Sequence, residues 1–350
     1  MRFRRLICVL LLVFEMACER QLDYDISSAA PVPVMNALWS AGDNEHSVFL
    51  CSSYAYEVAS MEETATVSCF VNGVCVSKTT DYIIRLTKYS NIDLQEYKVQ
   101  ASLSAGDRVR IVASFPDVEL SAESTVPSPP SVQIDTTSVA DDYYRYIGQD
   151  AVENRRNYSI TMTLADDPGT PTYYRFYSPN VHSEVRRVKD DSLVEKKDWL
   201  WFQFDENDPV YKNITAQFPF EMMLEFPFLA GTVNATHVFS DELFSDRSYN
   251  FYFDLSQKDY ELTIWHKRYA DISIRFRLAS LSREEYLYLI AANAATASFA
   301  DPMAEPVVLP YNVKGGLGFF GVENVYDQTI DLKRCYYYDP LIGDKPISGE

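Results

Sequence analysis

A chain of 350 residues with 47% hydrophobic and 23% charged side chains has the material for about two domains with cores of their own, which excludes a disordered protein. Its formal net charge of −19 excludes a nucleic-acid partner, since an acidic surface repels the phosphate backbone that a basic patch would hold. Tyrosine is abundant at 25 and glycine sparse at 12, a bias toward strands over flexible linkers.

Residues 1–17 read as an export signal. Arg2, Arg4 and Arg5 make a positive start, Leu6 to Phe14 an apolar run, and Glu15-Met16-Ala17 leads to Cys18. The apolar run is too short for a permanent bilayer span, so removal is expected. Cys18 then becomes the first residue and carries lipid, palmitate included; more than one acyl chain is needed for stable anchoring. Glu15 stands where such signals usually place Leu. Residues 18–31 are polar and acidic with no period, and they read as a tether.

Residues 32–127 are expected to form an immunoglobulin-like β domain. Val34 to Trp39 and His46 to Ser53 look like strands, and Glu96 to Leu103 runs into the turn signal Ser104-Ala105-Gly106-Asp107. Asn72-Gly73 marks a two-residue hairpin, which predicts that Phe70 faces Cys75 and Cys69 faces Val76, with Cys69 and Cys75 on opposite faces. Once Cys8 leaves with the signal and Cys18 takes lipid, Cys51, Cys69, Cys75 and Cys335 remain. Cys51 bridged to one hairpin cysteine and buried free thiols both stay open; the spacing has no CxxC or paired His for zinc. Pro127, Pro129 and Pro130 end the domain, since three prolines in four residues cannot continue a central strand.

Residues 131–338 read as a second, larger antiparallel sandwich. Tyr158 to Leu164, Thr172 to Tyr177, Trp199 to Phe204, Tyr249 to Leu255 and Tyr260 to His266 carry strand alternation. Ile272, Ile274, Phe276 and Leu278 form one face of a further strand, opposite Ser273, Arg275 and Arg277. One packed α-helix, 282–298, opens with the capping box Ser282-Arg283-Glu284-Glu285 and stops at Asp301-Pro302. Residues 339–350 form a C-terminal tail.

Motifs for chemistry are scarce. Gly316 to Gly321 matches G-x-G-x-x-G, yet it leads into the strand-like Val322 to Leu332 instead of a helix, so no dinucleotide or other cofactor is expected. The pattern fits a bent strand where backbones pass closely. His46, His182, His237 and His266 are scattered, and Asp141-Asp142, Asp166-Asp167 and Asp190-Asp191 lack the alternating calcium-loop pattern, so each pair reads as a solvated turn and no metal is expected. Trp199, Trp201 and Gln203 share one strand face and are the candidate ligand platform, for a glycan or a peptide; a strand buried on both faces is the structural alternative.

The cysteine-ended signal, the closure Ser124-Thr125-Val126-Pro127, the segment Ser240-Asp241-Glu242-Leu243-Phe244, the helix start Leu281 to Tyr286 and the tail from Glu305-Pro306 through Asn312, Gly315, Gly316, Gly318 and Gly321 together resemble a Bacteroidota lipoprotein family, domain of unknown function 4249. The resemblance implies a cell-envelope lipoprotein of the outer membrane, on the periplasmic or the surface leaflet, often encoded near TonB-dependent receptors. It implies no catalytic residues, and makes the glycine tail a structural signature. The expectation is therefore a non-catalytic, lipid-anchored accessory protein that binds a ligand or a TonB-dependent receptor. A carboxylate-based, glycan-directed surface hydrolase and an adhesive surface lipoprotein are the alternatives.

Overall fold

The computed structural model describes residues 31–54, 57–59, 61, 63–86, 93–145, 152–166, 171–187, 189–200, 208–212, 236–244, 247–255, 268–299, 309–332 and 335–338. The export signal, Cys18, the strand expected at Tyr260 to His266 and the tail 339–350 lie outside them. The described residues are mostly β, arranged as packed sheets with one long helix near the C-terminus, as the alternation predicts.

The first segment supplies β1 (Val32–Ser40), β2 (Glu45–Tyr54), β3 (Glu57–Ala59), β4 (Thr66–Val71), β5 (Val74–Thr79), β6 (Tyr82–Leu86), β7 (Asp93–Gln100), β8 (Arg108–Ser114) and β9 (Glu119–Thr125). One layer runs β1-β2-β7-β6 and the other β5-β4-β8-β9. Alternate residues of the two layers meet between them: Met35, Ala37, Trp39, Val48 and Leu50 against Val67, Cys69, Val109, Ile111 and Leu120. Asn72 at φ 52° and Gly73 at φ 83° form the tight turn that matches strand twist. Phe70 pairs with Cys75 as expected, but Cys69 pairs with Ser77 and not with Val76. A bulge between Cys69 and Phe70 takes up the extra residue on β5. Cys69 is nevertheless buried and Cys75 exposed, and both are free thiols, as is buried Cys51.

The second segment supplies β10 (Ser131–Arg145), β11 (Val152–Ala165), β12 (Tyr173–Arg187), β13 (Leu193–Leu200), β14 (Val238–Ser240), β15 (Ser248–Leu255), β16 (Arg268–Leu281), α1 (Arg283–Phe299), β17 (Leu317–Asp331) and β18 (Cys335–Tyr338). The layer built on β12, β16 and β17 packs over β10, β11 and β15, and β18 pairs with both β11 and β16. Ile272, Ile274, Phe276 and Leu278 face Ile160, Met162, Leu164, Phe251 and Phe253 in this core. On the far side of the same layer, α1 packs Tyr286, Leu289, Ile290 and Ala294 onto Ala279, Leu281 and Val238. Half of the expected capping box forms: the Glu285 N–H donates to Ser282 Oγ at 3.3 Å. The returning arm does not. Glu285 is 2% exposed, and its Oε2 points at Gly321, with no hydrogen-bond partner among the described residues.

β17 joins the two cores. Its first half, Leu317 to Glu323, runs parallel to β1, and its second, Glu323 to Asp331, antiparallel to β16. Phe320 and Val322 enter the first core, while Ile330 packs on the second. The expectation of purely antiparallel pairing is corrected here: pairing with β16 sets the strand's direction, and β1 must accept it.

The approach to β17 explains the glycine signature. Lys314 exchanges backbone hydrogen bonds with Ser121 of β9, which lays the chain across the seam. Gly315 sits at φ 84° with space for a Cβ only 2.1 Å from the Glu119 carbonyl oxygen, and Gly318 sits at φ 113° with that space 2.0 Å from the Met35 carbonyl. No L side chain fits either place. Asn312 finishes the crossing, its side-chain amide accepting the Phe320 N–H at 2.8 Å and donating to the Phe320 carbonyl at 2.7 Å. No helix among the described residues is long and apolar enough to cross a membrane.

Candidate functional site

A pocket of about 350 Å³ opens where the proline linker meets the end of the second sandwich. One wall is Pro127 to Ser131, held by the Asn324 side-chain amide, which donates to the Pro127 carbonyl at 3.0 Å. Asp166 at the end of β11, Thr172 at the approach to β12, and the cross-strand neighbours Tyr174 and Ser280 form the opposite wall. Ser280 points inward because the even positions of β16 face the core. It is 1% exposed, and its Oγ has no hydrogen-bond partner among the described residues.

Asp241 stands directly behind this wall. It opens a short 3₁₀ turn, Asp241–Leu243, after β14. Its N–H donates to the Thr172 carbonyl at 3.1 Å, and its Oδ2 accepts the Thr172 N–H at 2.7 Å, a two-point clasp on the pocket's rim. Its carboxyl also bonds to that of Asp166. Burial pushes Asp241 up to about 6, with the Asp166 carboxylate adding to the effect and the Thr172 N–H opposing it. The raised Asp241 carboxyl can keep its proton and donate it to its neighbour.

A second group of charges is packed between α1 and the sheet. The Tyr177 ring lies between the guanidinium groups of Arg175 and Arg277, at 4.6 and 4.8 Å, and its hydroxyl donates to Glu323 Oε2 at 2.6 Å. Burial and the nearby Glu323 carboxylate push Glu285 up to about 8, against Arg175. Glu323 faces the two arginines while enclosed Glu285 favours its neutral form, and the group reads as a buried polar cluster that fixes the helix to the sheet.

The residues singled out from the sequence fall in different places. Asn312, Gly315, Gly316, Gly318 and Gly321 gather at the seam between the cores, a structural role. Glu305, Pro306, Trp201 and Gln203 lie outside the described residues, as does Cys18. Trp199 is half-buried against the second core, and Leu200, 66% exposed, is the side chain that faces out. Trp199 therefore does not form an open stacking surface. Asp190 caps its own turn through Ser192, as a solvated turn does, whereas Asp166 departs from that expectation by pairing with Asp241. Burial pushes the Cys51 and Cys69 thiols up to about 11 and about 12, which makes them inert. No group of three metal-ligating side chains occurs among the described residues. Asp241 was missed as a site because nothing in Ser240-Asp241-Glu242-Leu243 distinguishes a buried acid from a turn acid; the cue was the aromatic and apolar run around it, Val238, Phe239 and Phe244.

No curated protein matches the chain. The family described as Domain of unknown function (DUF4249) matches residues 19–329, from just past Cys18 to nearly the end of β17, and so takes in the pocket and the glycine seam. The chain belongs to the DUF4249 family.

Proposed function

We propose that this protein is a non-catalytic, lipid-anchored accessory protein of the outer membrane that binds a ligand or a TonB-dependent receptor during nutrient uptake. The observation that carries this reading is the join at Cys18. The Arg-led apolar run ends just before it, and the family match begins at residue 19, the residue after the cysteine that would head a processed lipoprotein. β1 begins at Val32, so residues 18–31 remain to act as the tether expected from the sequence.

A protein partner is favoured by two adjoining sheet edges. β5 ends one layer of the first sandwich and β6 the other, and the Gln100 N–H of β7, the strand beside β6, donates to Ser77 Oγ of β5 at 3.3 Å. Val74, Val76, Ile83 and Ile84 are all exposed along these edges. Unpaired strand edges with apolar side chains suit strand addition by a partner. Metabolic lipid labelling of the parent and Cys18→Ser, followed by purification in mild detergent, tests the reading. The label is expected to vanish in the variant, and a TonB-dependent receptor to come down with the parent; persistent label or a bare monomer overturns it.

The Asp166–Asp241 pair favours a second reading, a carboxylate-based surface hydrolase. Glycosidase carboxyls stand about 5–10 Å apart, whereas this pair is in direct hydrogen bond, so the reading rests on the raised Asp241 carboxyl as a proton donor and not on paired-carboxylate spacing. Release of products from glycan or peptide substrates by the parent but not by Asp166→Asn would establish that reading.

A further inference from the structure

We infer that the junction pocket is a binding site for a small primary amine, whose ammonium group seats between the Asp166 carboxylate and Ser280 Oγ. The inference rests on the ligand-binding part of the function proposed above and names the ligand's chemistry.

Three features of the pocket point the same way. Its linker wall includes Pro127, Pro129 and Pro130, which have no N–H to offer, so carbonyl acceptors outnumber backbone donors there, the donors coming from Ser128 and Ser131. Its polar side chains include a carboxylate, on a chain already strongly negative, which concentrates cations. Finally, Ser280 keeps a buried hydroxyl at the pocket wall with no partner among the described residues, a state that costs free energy unless a ligand relieves it. An acceptor-rich, anionic pocket of about 350 Å³ complements a ligand with several donors and a positive charge. An ammonium group has three donors: Asp166 takes one, Ser280 Oγ a second, and linker carbonyls remain for the third. Tyr174, Leu281 and the proline rings suit a short apolar stem.

Binding is coupled to the Asp241 proton. Asp241 is faced by Asp166 from the end of β11 and interacts electrostatically with Tyr173 on β12 and Tyr286 on α1, both of which also feel Glu242, while Arg283 interacts with Tyr173. An ammonium group seated beside the Asp166–Asp241 contact favours the ionised form of Asp241, so affinity should fall as pH drops through about 6.

Calorimetric titration of the full-length protein with n-butylamine, its neutral isostere n-butanol and calcium chloride tests the site. Butylamine is expected to bind at pH 7.5 and more weakly at pH 5, while butanol and calcium give no heat. Asp166→Asn should weaken butylamine at least about tenfold. Ser280→Ala, which removes a hydroxyl that holds nothing in the fold, should weaken it by about three- to tenfold with unchanged melting. Equal binding of butanol, binding of calcium, no butylamine binding, or a stably folded Asp166→Asn with parental affinity overturns the inference. Lipid labelling and receptor co-purification are read separately, so loss of the amine site alone leaves the anchoring proposal standing.

Discussion

Glu285 couples the fold to pH through one enclosed carboxyl. Its folded value of about 8 lies above its unfolded one, because burial and Glu323 both disfavour the anion. Stability from this group is therefore fully present below its ordinary value near 4.5 and is lost as pH rises toward 8. Glu285→Gln keeps the shape and discards the titration. Its melting temperature is expected to decline less than the parent's between pH 5 and 8, which thermal melts across that range would measure. Glu96 behaves in the opposite way. It is 4% exposed, and although burial opposes its ionisation, hydrogen bonds from Ser47, Arg85 and Lys98 hold it at about 2. Its contribution is present above about 4.5 and disappears as pH falls toward 2. Glu96→Gln should cost about 1–3 kcal/mol at pH 7. In urea titrations the gap between variant and parent should close as pH is lowered from 4.5 to 2.

Among the elements, the glycine-led crossing into β17 has the least tolerance. A Cβ at Gly318 would meet the Met35 carbonyl from a left-handed backbone, and both strain and collision fall on main-chain atoms that cannot move aside. Gly318→Ala is expected to destabilise the protein by about 2–4 kcal/mol. Gly42→Ala, with no atom within 4 Å of the added carbon, should stay within about 0.5 kcal/mol of the parent. Urea denaturation of the two variants reads the difference. This crossing also shows what could be read from the chain itself. The strand after Gly316–Gly321, the close backbone passage and the inward face Ile272, Ile274, Phe276 and Leu278 all follow from local pattern, because alternation and glycine placement are properties of neighbours in sequence. Which strand would accept β17 was not legible, nor was the contact of Asp166 with Asp241 across 75 positions. Both depend on pairings set by the whole sheet. The bulge that moves Cys69 onto Ser77 is hidden for a related reason: an inserted residue leaves the hairpin turn itself unchanged.

At the scale of the molecule, the two sandwiches are not independent units, because the first borrows a strand from the far end of the chain. Residues 31–127 contain every strand of the first sandwich except β17, and so lack Phe320, Val322 and the backbone partner of β1. Burial of two such side chains is worth about 1.5–3 kcal/mol each, and seven residues of β1, Val34 to Ser40, would lose their ladder on that side. A domain of this size has about 5–15 kcal/mol of net stability, so the missing strand removes a large fraction. The isolated 31–127 fragment is expected to be unfolded or molten, with poorly dispersed amide resonances. Addition of a synthetic peptide covering residues 309–332 should restore dispersion, since that segment brings Asn312, the glycine crossing and the β1-pairing half of β17 together. In the intact chain the same sharing makes unfolding a single event: circular dichroism and the fluorescence of Trp39, buried in the first core against Phe320, should report one coincident transition in urea. Trp39 exposure ahead of the main transition, or a well-folded 31–127 fragment without the peptide, would mean that β17 decorates the first sandwich instead of completing it.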